Sequence, residues 1–187
     1  MSLETPICDF EKKASPFNLI STENKVVKLD DIKGENGTLI MFICNHCPYV
    51  VATIKDIVST SIELKKIKIN TIAIMSNDPK DYPEDSFENM AKFAKKYNFD
   101  FPYLYDKDQK VGREYDAVCT PDFFGYNSNL GLQYRGRIYE LNNQVRPRVR
   151  VENSPNELLE AMRIIAKTGE GPKVQTPSIG CSIKWSE

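Results

Sequence analysis

The apolar run Thr38-Leu39-Ile40-Met41-Phe42-Ile43 constrains this chain more than any other stretch, because it has no polar face to turn toward water. A short, continuous, β-branched-rich run of this kind reads as a strand covered on both faces. It leads without a break into Cys44-Asn45-His46-Cys47-Pro48-Tyr49-Val50. Beyond that, Val51, Ile54, Val58 and Ile62 recur every three or four residues, which predicts an amphipathic helix reaching about Lys66. A second buried-type strand, Thr71 to Met75, follows. A C-x-x-C pair therefore sits where a buried strand hands over to a helix.

The rest of the chain continues the alternation. Residues 1–37 carry Pro6, Pro16 and turn-forming clusters, with extended pieces at Phe17–Ile20 and Val26–Leu29 and a turn at Gly34–Gly37. Asp85, with Glu88 three residues on, predicts a helix start, and Phe87, Met90, Ala94 and Tyr97 line one face. Phe101–Tyr105 reads as a third strand and Gln109–Tyr115 as a short helix. Phe123–Tyr126 and Leu132–Arg137 flank the turn Asn127–Gly131 and predict a hairpin, with Arg135 and Arg137 on a solvated edge. Residues 138–153 are polar and Arg-rich without a period, which predicts a loop. Ser154-Pro155-Asn156-Glu157 predicts a capping box with proline at the first helical position, and Gly169 ends the helix. This order predicts an α/β fold, a three-layer α/β/α sandwich with a mixed central sheet in the thioredoxin arrangement.

At 187 residues the chain is expected to form a single domain, residues 1–187, large enough to bury a core without disulfide staples. Within it, residues 1–37 form an N-terminal extension and residues 169–187 a tail that packs back on the domain. Lys plus Arg number 25 against 26 Asp plus Glu, a balance that offers no electrostatic reason to expect nucleic acid or a membrane surface as partner. No apolar stretch approaches the ~20 residues needed to span a bilayer, and the polar opening does not read as a secretory signal. A cytoplasmic location is expected. Five cysteines, an odd number and widely spread apart from one close pair, do not read as a disulfide scaffold. In a reducing compartment the close pair reads as redox or metal chemistry.

A free thiol with a pKa near 8.5 is only ~3% thiolate at neutral pH. A drop of about two units, worth ~2.7 kcal/mol, would make roughly three quarters of it thiolate. The unpaired N–H groups and dipole of a helix N-terminus supply stabilisation of this kind. On spacing alone Cys44 is the thiol at the junction and the attacking nucleophile, while Cys47, one turn inside, resolves the mixed disulfide. His46 is the only histidine, and as a cation it would stabilise a Cys44 thiolate and give a more oxidising couple than proline at that position. Thr120-Pro121 falls where, in this strand order, a cis-proline would face the C-x-x-C and leave backbone groups free to pair with a substrate. Thr120, Pro121 and Asn45 are the expected substrate-binding residues. Cys119 reads as a buried structural thiol and Cys181 as a tail thiol beside Trp185; a link between these two secondary thiols stays open, and Cys8 reads as incidental.

Several long blocks carry a resemblance. The C-x-x-C block itself, Tyr82-Pro83-Glu84-Asp85-Ser86, Phe101–Asp106, Cys119-Thr120-Pro121-Asp122-Phe123-Phe124, Tyr134–Arg137 and Pro177–Trp185 resemble the thioredoxin-like redoxin family related to alkyl hydroperoxide reductase and thiol-specific antioxidant proteins. The resemblance runs from about Phe10 to the tail. It implies a thioredoxin fold with an N-terminal extension and an insert before the cis-proline strand. Gly125 stands where such proteins usually have a bulkier apolar residue, and residues 138–152 diverge.

The expected activity is thiol–disulfide oxidoreduction by Cys44 and Cys47, with no cofactor. Its partners are a disulfide or thiol substrate, protein or small molecule, and a separate reductant. A rival is a peroxiredoxin-type thiol peroxidase with Cys47 as the peroxidatic thiol. In the P-x-x-x-T-x-x-C pattern of that chemistry Cys44 takes the threonine slot and Ile40 the proline slot. A second rival is copper delivery. Copper chaperones on this fold resemble C-x-x-x-C-P with a distant histidine; the spacing here is one shorter and no second histidine exists, so no metal is expected.

Overall fold

The computed structural model describes residues 1–187. In chain order the elements are β1 (Ser2–Glu4), β2 (Asn18–Ser21), β3 (Val26–Lys28), α1 (Leu29–Ile32), β4 (Gly37–Phe42), α2 (Pro48–Lys66) and β5 (Ile69–Met75). A 3₁₀ turn (Pro83–Asp85), α3 (Phe87–Lys96), β6 (Tyr103–Tyr105), α4 (Lys110–Glu114), β7 (Cys119–Thr120), β8 (Asp122–Tyr126) and β9 (Leu132–Tyr134) follow. The chain closes with β10 (Leu141–Asn142), β11 (Val149–Arg150), α5 (Glu157–Thr168) and β12 (Ile179–Ser182).

Seven strands form the central sheet in the order β3-β2-β6-β5-β4-β8-β9. β5 runs parallel to both β4 and β6, and the other pairings are antiparallel, so the sheet is mixed. Every residue of β4 is buried, as a strand without a polar face requires. Because side chains alternate across a strand, Leu39, Met41 and Ile43 enter the core beneath α2, α3 and α5. Ile40 and Phe42 enter the opposite core, with Val111 and Tyr115 from α4 and its C-terminal end. This is the thioredoxin-like α/β/α sandwich expected. Between β5 and β7 the chain adds α3, β6 and α4, and β6 joins the sheet beside β5.

Several local expectations are corrected. The buried stripe of α2 is Val50, Ile54, Ile57 and Leu64, whereas Val51 and Ile62 face solvent. Two adjacent valines left the helical phase ambiguous, and packing on β4 and β5 decided it. The N-cap of α3 is Ser86, whose Oγ accepts from the Asn89 N–H at 3.3 Å; Asp85 lies outside the helix, buried and engaged elsewhere. In α5 the N-cap is Asn156, which accepts from the Leu159 N–H at 3.0 Å, so Pro155 precedes the helix. Gly169 ends α5 in the left-handed conformation at φ 79°, which glycine adopts without a Cβ penalty.

Residues 138–153 are not a plain loop: β10 and β11 pair as a small antiparallel ladder. Arg148 lies over the Tyr49 ring at 3.9 Å and Arg150 over the Tyr139 ring at 4.6 Å. The anchors are cation–π contacts instead of an apolar stripe, which is why no hydrophobic period marks the segment. Nor is the hairpin edge solvated. Arg135 is 6% exposed and pairs with Asp122, and half-buried Arg137 grips Glu157 at 2.8 and 3.0 Å.

Gly125 sits on β8 at a bulge against β9, and a Cβ there would stand 2.5 Å from Met162 Sδ on α5 and 3.0 Å from Tyr134 Cβ. The glycine lets α5 lie close on the sheet. Gly125→Val should therefore overpack this layer and cost about 1–3 kcal/mol in urea denaturation. An unchanged midpoint would show that Met162 swings aside freely.

Candidate active site

The helix that follows the C-x-x-C starts at Pro48, with fixed φ and no N–H to lose, and Cys47 is its N-cap. The thiol at the helix N-terminus is thus Cys47, and Cys44 sits outside the first turn, which corrects the positions expected from spacing, where Cys47 lay one turn inside. Exposure is corrected with it: Cys44 is 1% and Cys47 0% exposed, so neither sulfur stands at the surface.

Around Cys47 the donors outnumber the acceptors. Hydrogen bonding from the Cys181 and Cys44 thiols, the Thr120 side chain and the Val50 N–H favours its anion, and burial opposes it. Opposing them, Cys47 Sγ lies 3.1 Å from the Thr120 carbonyl oxygen, a contact that favours the protonated thiol. Together these donors hold the Cys47 thiol below its ordinary value, with Cys181 the largest contributor. Cys44 is pushed well above its ordinary value because its thiol hydrogen-bonds toward Cys47, is buried, and faces the charge of Asp85.

His46 does not serve as the expected cationic partner of Cys44. Its Nδ1 lies 2.6 Å from an Asp85 carboxylate oxygen, and its ring stacks on Tyr82 at a centroid distance of 4.7 Å. Cys44 Sγ is 3.9 Å from the same nitrogen, a much longer contact. Asp85 raises the His46 pKa and its own charge disfavours a Cys44 thiolate. The carboxylate also accepts from the Asn45 N–H and the Asn77 side-chain amide, both at 2.8 Å.

Asp85 was invisible as a site residue in the sequence, where it looked like a helix cap. Asn45 is spent on structure as well. Its amide donates to the Glu84 carbonyl at 2.9 Å and its Oδ1 accepts from Tyr103 OH at 2.8 Å, so the expected substrate contact is replaced by a positioning role.

Because His46 is raised in the folded state, the stability its pairing contributes is complete below about pH 6.5. It is lost as pH rises through the folded value. With its side chain 20% exposed, the contribution is about 1 kcal/mol after solvent screening. Denaturation midpoints of the wild type should fall across this window, and His46→Ala should flatten the fall, since no other imidazole exists. Parallel pH profiles would contradict the pairing.

The Thr120–Pro121 peptide is cis and stands against the two cysteines, with Thr120 Oγ1 3.4 Å from Cys44 Sγ. Its backbone is not free, however. β12 pairs antiparallel with β7, setting Cys181 opposite Thr120 and Ser182 opposite Cys119, and β1 adds to the far edge of β12. A tail strand already occupies the edge expected to bind substrate. Cys119 is buried with its Sγ 3.7 Å from the Pro121 carbonyl oxygen, and burial pushes its thiol up.

Cys44 Sγ, His46 Nδ1 and an Asp85 oxygen lie within 4.8 Å of one another and could offer ligands to a metal ion. The 2.6 Å His46–Asp85 separation is shorter than the roughly 3.3 Å between neighbouring ligand atoms of a tetrahedral zinc site. That spacing suits a shared proton. No helix is long and apolar enough to cross a membrane.

The chain is similar over its whole length to a crystal structure of an uncharacterized conserved protein from Geobacillus kaustophilus, at 38% identity and a TM-score of 0.91, covering 97% of that chain. A hypothetical protein from Sinorhizobium meliloti, SMc02350, is 30% identical with a TM-score of 0.88, covering all of this chain and 99% of that one. A Coxiella burnetii protein provisionally named as peroxiredoxin bcp is 27% identical over 117 residues, 61% of this chain and 70% of that protein. Residues 10–140, which hold the buried cysteine pair, the cis-proline and Asp85, match the AhpC/TSA family, and the chain belongs to that family of thioredoxin-like redoxins, thiol oxidoreductases or peroxidases.

Proposed function

We propose that the protein is a dithiol oxidoreductase in which Cys44 and Cys47 cycle between two thiols and a disulfide, with Cys47 as the attacking thiolate. The observation that carries this reading is the position of Cys47 as N-cap of α2, with Cys44 three residues ahead of it and both sulfurs set against Thr120. In attack on a small disulfide, Cys47 forms a mixed disulfide and expels one thiolate. Cys44 then attacks Cys47 Sγ, and the second thiolate leaves as the Cys44–Cys47 bond closes. A separate dithiol returns the pair to the reduced state. A cavity of about 270 Å³ is lined by Pro121 and by Tyr49, two residues after Cys47, with Thr53, Phe123 and Tyr139, although neither sulfur lines it.

A second reading draws on the same thiolate and on the burial of both sulfurs, which favours an oxidant small enough to enter. Cys47 attacks a hydroperoxide, the O–O bond breaks, and an alcohol leaves once the alkoxide takes a proton. The resulting Cys47 sulfenic acid condenses with the Cys44 thiol and releases water. Both readings need a Cys47 thiolate near neutral pH. Alkylation rate against pH, followed by mass mapping, should show Cys47 titrating below Cys44. Titration of Cys44 first would return the attacking role to Cys44. Reduction of a small disulfide against consumption of a hydroperoxide, on the same sample, separates the two substrates.

A further inference from the structure

Cys181 belongs to no part of the dithiol cycle described above, yet its position is closely determined. β12 crosses β7 so that Cys181 faces Thr120, the residue that touches both Cys44 and Cys47. Gly180 makes the approach feasible: a Cβ there would overlap the Thr120 carbonyl oxygen, so the strand sits against the backbone just before Pro121. Ser178 Oγ donates to the Pro121 carbonyl at 2.9 Å and anchors the entry to the strand. Antiparallel pairing at an exposed sheet edge is a general way of presenting a peptide. Here the peptide is the chain's own tail, and it carries a thiol. Cys181 is also the most accessible sulfur of the three, half-buried where Cys44 and Cys47 are closed off.

We propose that Cys181 is a third redox-active thiol, which exchanges with the Cys44–Cys47 disulfide and hands it to an external dithiol. This rests on the dithiol reading above. The Cys181 thiolate attacks Cys47 Sγ, the Cys44–Cys47 bond breaks, the Cys47–Cys181 bond forms, and Cys44 leaves as thiolate and takes the proton. The exchange changes no oxidation state. One thiolate of an external dithiol then attacks Cys181 Sγ and frees Cys47, its second thiol attacks the mixed disulfide and closes to a disulfide as Cys181 leaves, and the protein is reduced by two electrons.

The electrostatics fit the order of events. With Cys47 as the thiolate, Cys181 is pushed up chiefly by its hydrogen bond toward Cys47, with burial and the Cys47 charge adding to it. Once Cys47 is in a disulfide that charge is gone, and Lys184, which favours the Cys181 thiolate, acts unopposed by it.

The test oxidises the full reduced chain with substoichiometric diamide, blocks free thiols by alkylation and maps the disulfides by mass spectrometry. Wild type should yield both Cys44–Cys47 and Cys47–Cys181 links, and Cys44→Ser should yield Cys47–Cys181. Reduction of the oxidised protein by dithiothreitol should slow on the order of tenfold in Cys181→Ser, because the accessible sulfur is gone.

A Cys44–Cys47 link in wild type, with no Cys47–Cys181 link there or in Cys44→Ser, overturns the proposal and leaves the dithiol reading intact. Absence of the Cys44–Cys47 link in both wild type and Cys181→Ser overturns that reading and the proposal with it. Equal reduction rates for wild type and Cys181→Ser overturn the proposal even where both links form. Should Cys44→Ser fail to fold, the wild-type map and the Cys181→Ser rate decide.

Discussion

Cys47→Ser should abolish turnover, by about 10³-fold or more, because a serine hydroxyl does not ionise near neutral pH and cannot replace the thiolate. The same substitution at Cys44 should give a different kinetic picture. With Cys47 intact, one equivalent of oxidant should still be consumed in a fast first phase, and steady turnover should then stop for want of the resolving thiol. The contrast follows from the position of the helix start. Cys47 stands at the N-terminus of α2 with its thiol lowered by neighbouring donors, while its hydrogen bond toward Cys47, burial and Asp85 push the Cys44 thiol up. Single-turnover kinetics of the two serine variants measure this directly. A surviving first phase in Cys47→Ser, with none in Cys44→Ser, would reverse the roles. A surviving first phase in Cys47→Ser,C44S double substitution would place the reactive sulfur outside the pair altogether, with Cys181 the first candidate.

The second large effect is on stability. Arg135→Ala should cost about 3–5 kcal/mol, since it strands a buried carboxylate without a partner. Asp122 is 0% exposed and receives the Arg135 Nε at 3.2 Å and an Nη at 2.9 Å; the same nitrogen donates to the Asp116 carbonyl at 2.8 Å. The guanidinium also covers the Phe124 ring at 4.4 Å, so truncation removes packing together with charge. For a chain of this size the loss corresponds to roughly 6–20 °C in Tm. The double variant Arg135→Met, Asp122→Leu should recover much of it, because an apolar pair of similar volume has no desolvation to offset. A midpoint that stays within 1 kcal/mol of wild type in Arg135→Ala, on the order of an exposed pair, would mean that water reaches Asp122. Asp122 directly follows Pro121, so the pair also anchors the backbone that faces the cysteines.

Much of the architecture was legible in the chain because it rests on short-range pattern. A strand with no polar face, such as Thr38–Ile43, must be covered twice, and a helix with Pro48 at its start and Gly169 at the end of another are local signals. The pairing of Arg135 with Asp122 was not legible, since an arginine on a hairpin looks the same whether its partner is water or a carboxylate on the neighbouring strand. Asp85 was hidden for a similar reason. In the sequence it stands one residue before Ser86, the real cap, and nothing local says that the chain folds it back onto His46.

The amino-acid order by itself determined that a cysteine pair would sit between a buried strand and a helix, and therefore that this chain could do thiol chemistry. Only the tertiary structure decided what surrounds each sulfur. That depends on Cys47 being the helix N-cap, on Asp85, 38 residues further along the chain, folding back toward Cys44, and on a tail strand that sets Cys181 opposite Thr120. A thiol's acidity is set by the donors and charges around it in space, and sequence spacing records only those that are neighbours along the chain.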